Sequence, residues 1–211
     1  MSNPTYGIVC AMREEVEKIV QALDLKESVT DLIPLTLNYK MYTGPNIVLI
    51  ESKIGKVAST MATLLLIERH DPEYIINIGL AGSLNPMYKA GEAYCITNVI
   101  QHDTYMPIEE YKKDMYQTLD CYLKIPNHPM SILTARLATG DQFVDTSKTA
   151  IDADLVDMEG FAVAYTAKAF NKKCVLIKGV SDNASDTAEE DMFANLNKAM
   201  DATIKVLKAI I

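Results

Sequence analysis

Positive charge, paired cysteines and long apolar runs are all scarce in this chain, and each shortage removes a class of function. The 20 Lys and Arg residues face 28 Asp and Glu, for a formal net charge of −8 and an isoelectric point near 4.9. That balance argues against a nucleic-acid backbone or an anionic membrane as partner. A small neutral or cationic ligand meets no such objection. Of the four cysteines, no two stand as C-x-x-C and none has a histidine at metal-ligand spacing. No zinc set and no P-loop is present, so neither a metal nor a cofactor is expected. Cys10, Cys95 and Cys174 lie in apolar runs, where a reduced thiol packs as a small hydrophobe. No apolar run approaches the roughly 20 residues that span a bilayer. The opening Met-Ser-Asn-Pro-Thr-Tyr is not a basic stretch followed by an apolar one, so no signal peptide and a cytoplasmic location are expected.

What is present is the composition of a folded domain. The hydrophobic fraction is 49% and the charged fraction 23%, ordinary values for a globular protein. No repeat, low-complexity tract or Pro/Gly/Ser linker divides the chain, which predicts one domain over residues 1–211.

Apolar runs alternate with helical periods. Tyr6–Cys10, Tyr74–Ile78 and Cys174–Val180 are short continuous runs of the type that forms strands covered on both faces. Leu37–Tyr42 and Ile47–Glu51 read as a strand pair joined by a turn at Thr43–Asn46. Ala93–Gln101 and Ser131–Ala138 are further strands, with His102–Met130 between them read as loop carrying one short helix. Helical spacing marks Glu14–Leu23, Lys56–Arg69, Glu159–Phe170 and Ala188–Ile211. In the last, Phe193, Leu196, Met200, Ile204, Leu207 and Ile211 form one apolar stripe. The pattern predicts an α/β fold of three layers, α/β/α, around a mixed central sheet.

Ligands of open α/β sheets settle at the carboxyl ends of the strands. Four features fall there: Met12–Glu15, the small-residue turn predicted at Gly79–Ser83, Val156–Glu159 and Asp182. At these positions the chain resembles the purine and uridine phosphorylase superfamily, and within it the nucleosidases that cleave methylthioadenosine and S-adenosylhomocysteine. The likeness rests on Gly7–Val16, Ser52–Ala58, Ile75–Gly82, Thr139–Val144, Val156–Glu159 and Val180–Asp182, six stretches in the family's order. His102–Met130 is the exception, shorter than the family pattern and poorly matched.

The resemblance implies a nucleoside-phosphorylase-like fold and cleavage of a purine nucleoside at its N-glycosidic bond, with a place in methionine salvage. It assigns Asp182 as the acid that protonates the departing purine and Glu15 as the carboxylate that activates water. Glu159 would accept hydrogen bonds from the ribose hydroxyls, with Met158 packed on the sugar. Phe143 would stack near the base, and the Val144 backbone would meet the purine edge. Met12 and Ile54 suit either core or pocket. Each acid also has a plainer use: Glu15 in the first turn of a helix suits the macrodipole, and Glu159 and Asp182 suit caps or turns. His102 suits a surface turn, with an approach to the sugar as the alternative, and His70 and His128 suit loops.

The superfamily divides on whether phosphate or water attacks the sugar. A phosphate site wants cationic and hydroxyl donors, yet the first loop reads Ala-Met-Arg-Glu-Glu and Leu80 stands where a hydroxyl is usual. Water is the expected nucleophile, with a phosphorylase or a non-catalytic nucleoside binder as alternatives. Loss of the hydroxyl at Leu80 would cost about 0.5–1.5 kcal/mol of binding. Tyr105, Met106 and Pro107 are candidates for a different wall around the 5′ substituent. The apolar Val57, Met61, Leu64, Leu65 and Ile67 exceed what one stripe requires, and the resemblance implies a homodimer.

Overall fold

The computed structural model describes residues 5–28, 39–123, 132–145 and 151–211. Its strands are β1 (Tyr6–Cys10), β2 (Lys26–Glu27), β3 (Met41–Gly44), β4 (Ile47–Glu51), β5 (Tyr74–Ser83), β6 (Ala93–Gln101), β7 (Leu119–Asp120), β8 (Thr134–Thr139), β9 (Leu155–Asp157) and β10 (Lys173–Asp182). The helices are α1 (Arg13–Leu23), α2 (Lys56–His70), α3 (Glu109–Met115), α4 (Gly160–Ala169) and α5 (Ala188–Ile210). These strands join one mixed sheet. β1 pairs in parallel with β4 and β5, β5 with β10, and β6 with β8. β10 and β6, β5 and β9, and β3 and β4 are antiparallel.

The continuous apolar runs of the central strands follow from burial on both faces. Along β1, Val9 faces one core while Ile8 and Cys10 face the other. β10 alternates likewise, with Leu176 on one side and Val175 and Ile177 on the other. Such two-sided burial produces unbroken hydrophobic strands at the period of two that side chains follow. One core takes Ala62 and Leu66 of α2 with Phe161 and Val163 of α4. The opposite core takes Val16 and Ile19 of α1 with Met200, Ile204 and Leu207 of α5. These are the three expected layers.

Several details differ from the sequence reading. Gly79–Ser83 is strand, not turn: β5 continues because Gly79–Ala81 pair with Lys178–Val180, and Gly82 and Ser83 pair with β9. The hairpin turn is only Pro45-Asn46, since Thr43 and Gly44 pair with Val48 and Ile47. Proline followed by Asn46 at φ 59° matches the type II pattern, which needs a positive φ at the second central residue. Leu37 and Asn38, at the start of that predicted strand, lie outside the described residues, as do His128 and Ser131. His70 closes α2 rather than sitting in a loop. In the α5 stripe, Leu196, Met200, Ile204 and Leu207 are buried, but Phe193 is 58% exposed.

One buried polar pair interrupts the apolar sheet. Lys178 of β10 and Asp157 of β9 approach to 2.7 Å, each side chain 1% exposed. Asp157 also accepts from the Thr139 hydroxyl at 2.5 Å and the Gly160 amide at 2.8 Å. It thereby joins β8, β9, β10 and the start of α4. Removing one partner of a buried pair strands the other charge. Lys178→Met should therefore lower unfolding free energy by about 3–5 kcal/mol, read by urea denaturation. A loss below about 1 kcal/mol, the scale of exposed pairs, would contradict this view of the pair.

Candidate active site

The strand ends deliver acids to one cavity of about 230 Å³. Glu15, Glu159 and Asp182 line it, together with Met12, Ile54 and Leu80. Phe143, Val144 and Met158 complete the residues expected from the sequence, and all are in its wall. Sequence reasoning does not anticipate Gln142, Ser181, Met192 or the exposed Phe193, which line it too. Phe193 has the helical spacing of a core residue, so periodicity alone cannot separate it from the stripe. Tyr105, Met106 and Pro107 are not in this wall, and Tyr105 is 81% exposed.

Each acid is held by backbone amides. Glu15, in the first turn of α1, reaches back to the Met12 amide at 3.0 Å and across to the Leu80 amide at 2.8 Å. The Cys10 thiol donates to the same carboxylate at 3.3 Å. Burial pushes the Glu15 carboxyl up, opposed by the two amides and by Lys178. The helix-start role is thus real, but the second amide comes from a different strand, which capping does not require.

Glu159 stands at the start of α4 yet makes no side-chain cap there. Its Oε1 instead accepts from the Gly55 amide at 2.8 Å, across the site. Gly55 has φ 98°, a conformation that suits glycine. Burial, then the neighbouring Asp157, push the Glu159 carboxyl up to about 8, with Lys178 and Gly55 pulling the other way. Lys178 itself would be depressed by burial, but Asp157 and Glu159 hold it above its ordinary value.

Asp182 ends β10. It accepts from the Ser181 hydroxyl at 2.7 Å and the Ala184 amide at 2.9 Å, a local turn of the plain kind. Burial raises its pKa against those two hydrogen bonds, in the direction that keeps a carboxyl protonated and able to donate. The absence of side chains at Gly79 and Gly82 gives the acids their room. A Cβ would lie 3.1 Å from Glu15 Oε1 at Gly79 and 2.8 Å from Asp182 Oδ1 at Gly82.

Among the described residues, neither lysine nor arginine lines the cavity. Arg13 points into solvent and pairs with Glu17 at 2.7 Å. His102 is half-buried against Gly140, outside the cavity wall, rather than on a surface turn.

The raised Glu159 carboxyl makes a linkage prediction. In the window between 4.5 and about 8, the folded state keeps a proton that the unfolded chain has released. The associated stability is full below that window and is lost as pH rises through it. Glu159→Gln should therefore flatten the fall in Tm across that window, measured by thermal unfolding without ligand. The same slope in both proteins would show that Glu159 does not hold this proton.

Known proteins carry the same architecture. An aminodeoxyfutalosine nucleosidase of Helicobacter pylori is 29% identical over 228 residues, 97% of this chain and 96% of that protein. A 5′-methylthioadenosine/S-adenosylhomocysteine nucleosidase of Staphylococcus aureus is 29% identical over 238 residues, covering 97% of this chain and 98% of its own. A crystal structure of an MTA/SAH nucleosidase superposes with a TM-score of 0.87 at 25% identity, over all of this chain and 95% of the other. Among the described residues, no helix is long and apolar enough to cross a membrane. The phosphorylase superfamily model matches residues 5–211, so the chain that gathers these three acids at the ends of its strands belongs to that superfamily.

Proposed function

We propose that this protein hydrolyses the N-glycosidic bond of a purine nucleoside, with 5′-methylthioadenosine, S-adenosylhomocysteine or both as substrate and adenine as product. The observation that carries the reading is the set of four buried acids around one small, largely apolar cavity, of which Asp157 is paired with Lys178 and Glu15, Glu159 and Asp182 are not, with no cation in the wall among the described residues. Curated relatives over nearly the full length are named as nucleosidases.

Cleavage builds positive charge on the sugar and negative charge on the purine. Asp182, with its raised pKa, protonates the purine's five-membered ring as the bond breaks. Glu15 orients and deprotonates the water. A carboxylate has about four acceptor sites; three are taken by Met12, Leu80 and Cys10, which leaves room for one water. Glu159 spends Oε1 on Gly55 and turns its other oxygen to the ribose hydroxyls. There the proton that its raised pKa keeps in the ligand-free protein can be donated to one hydroxyl while a lone pair accepts from the other. Glycosidases acting on O-glycosides divide acid and nucleophile-activating roles between two carboxyls in a comparable way. Among the described residues of the wall, phosphate would meet carboxylates and no guanidinium, which favours water as the nucleophile.

The relatives bear names for two kinds of nucleoside, so aminodeoxyfutalosine is a second substrate to test. We propose that the enzyme acts in the cytoplasm as a homodimer. Ile67 is buried within the subunit, but Val57 is 82% and Met61 40% exposed on α2. Tyr165 of α4, which lines the same surface groove, is 50% exposed. Val57 lies two residues beyond Gly55, so this apolar surface borders the site, where a partner would shelter it. In sedimentation at low micromolar concentration, a particle of about twice 23.4 kDa is expected. A mass near 23.4 kDa with undiminished activity on dilution would rule the dimer out.

Incubation with these nucleosides in phosphate-free buffer should release free base. A phosphate requirement would make the protein a phosphorylase, and binding without product would make it a binder. Glu15→Gln and Asp182→Asn should each cut turnover by at least about 10²-fold, the worth of a placed acid or base, while the fold survives. Near-normal turnover in either variant would remove that residue from the mechanism.

A further inference from the structure

We propose that Asp103, acting through Lys56 and Asp141, is a positioning residue that locks the sugar-holding and base-holding halves of the site into one register; the catalytic part of this rests on the proposed function. None of these three side chains is in the cavity wall. They come from three separate segments: Asp103 just beyond β6, Lys56 at the start of α2, and Asp141 in the segment after β8.

The connections run in both directions from Asp103. Lys56 Nζ donates to Asp103 Oδ1 at 2.7 Å and Oδ2 at 2.9 Å, and to Gln101 Oε1 at 3.2 Å. The Asp141 amide donates to Asp103 Oδ2 at 2.8 Å. Asp141 returns the link, its Oδ1 accepting the Lys56 amide at 2.8 Å. The Asp103 and Lys56 side chains are 16% and 20% exposed, and Asp141 is 46% exposed. A closed ring of charge-assisted bonds with two members sheltered is firmer than an isolated surface pair.

What the ring touches gives it a role. The residue before Lys56 is Gly55, whose amide holds Glu159 Oε1. A Cβ at Gly55 would come 3.1 Å from Asp141 Oδ1, so the two segments meet closely at a backbone that suits glycine. The residues after Asp141 are Gln142, Phe143 and Val144, all in the cavity wall. His102, beside Asp103, packs its ring on Gly140, where a Cβ would strike Nε2. A shift at Asp103 would therefore reach both the amide that aims Glu159 and the segment that carries the base contacts. Burial alone would raise the Asp103 carboxyl, but Lys56 and the Asp141 amide outweigh it and hold it below its ordinary value. The Asp103 carboxylate is thus charged across the neutral range.

The test compares Asp103→Ala and Asp103→Asn with the parent in steady-state hydrolysis and in amide hydrogen exchange. Misplacement of a reacting group by about 1 Å can cost about 10²-fold. Asp103→Ala should lose about 10- to 100-fold in kcat/KM with its fold intact. Asp103→Asn, which keeps one oxygen for the Asp141 amide, should recover part of that loss. Glu159→Gln should cost less in the Asp103→Ala background than in the parent, because Glu159 is already misaligned there. Protection should fall together at Lys56 and across Asp141–Val144. Normal kcat/KM in Asp103→Ala, or fully additive losses with Glu159→Gln, would overturn the proposal. If the parent protein releases no base, the functional reading fails on its own. Exchange then decides the coupling: joint loss of protection supports it, and loss in one segment alone overturns it.

Discussion

The site depends on one buried ammonium. Lys178 sits within β10 at 2.7 Å from Asp157, and its charge also acts on Glu15 and Glu159. Several buried acids beside one another would otherwise drive each other to the neutral form, since burial and like charge both raise a carboxyl's pKa. The balance here is graded. Asp157 takes the direct pairing, Glu159 is left raised by burial and by Asp157, and Glu15 is steadied by two amides and the more distant lysine. The proposed reaction asks one acid to handle water and another to meet the sugar, and such a gradation sets the two apart. Asp182 is set apart, its pKa raised by burial against hydrogen bonds from its own turn.

The sheet makes this gathering possible. Parallel pairing of β1 with β5 and of β5 with β10 brings the carboxyl ends of three strands together. The antiparallel β9 then brings Asp157 beside them, with Glu159 two residues on. Gly79 and Gly82 in β5 leave out the side chains that Glu15 and Asp182 would strike. Glycine in a strand interior weakens it. Continuous pairing with β10, joined by β9 at Gly82 and Ser83, offsets that cost, so the strand runs on where small residues suggest a turn.

Much of this is legible in the sequence, for a physical reason. Strands buried on both faces write themselves as apolar runs, so β1, β5 and β10 can be found, although β5 continues to Ser83 and β10 to Asp182, past the ends that the runs suggest. Glu15 after β1 and Asp182 at the end of β10 fall where such runs stop, Glu159 follows the shorter extended segment that forms β9, and the resemblance to the family singles out all three. What cannot be read is lateral contact. A lone lysine inside Cys174–Val180 is the available signal for a buried pair, but nothing local names Asp157, on a separate strand, as its partner. The ring of Lys56, Asp103 and Asp141 is equally hidden, because it joins three segments that no local period connects. Phe193 escapes the reading because the helical period that fits a core also fits the residue at the mouth of a cavity.

In the proposed reaction water, handled by Glu15 in a cavity whose described wall residues include no lysine or arginine, attacks the sugar. Running the reaction in heavy-oxygen water, with and without phosphate, and weighing the sugar product tests it most directly. The freed sugar should carry one heavy oxygen at its anomeric carbon, and it should form at the same rate in both buffers. A sugar phosphate, or a free sugar without the label, would contradict it.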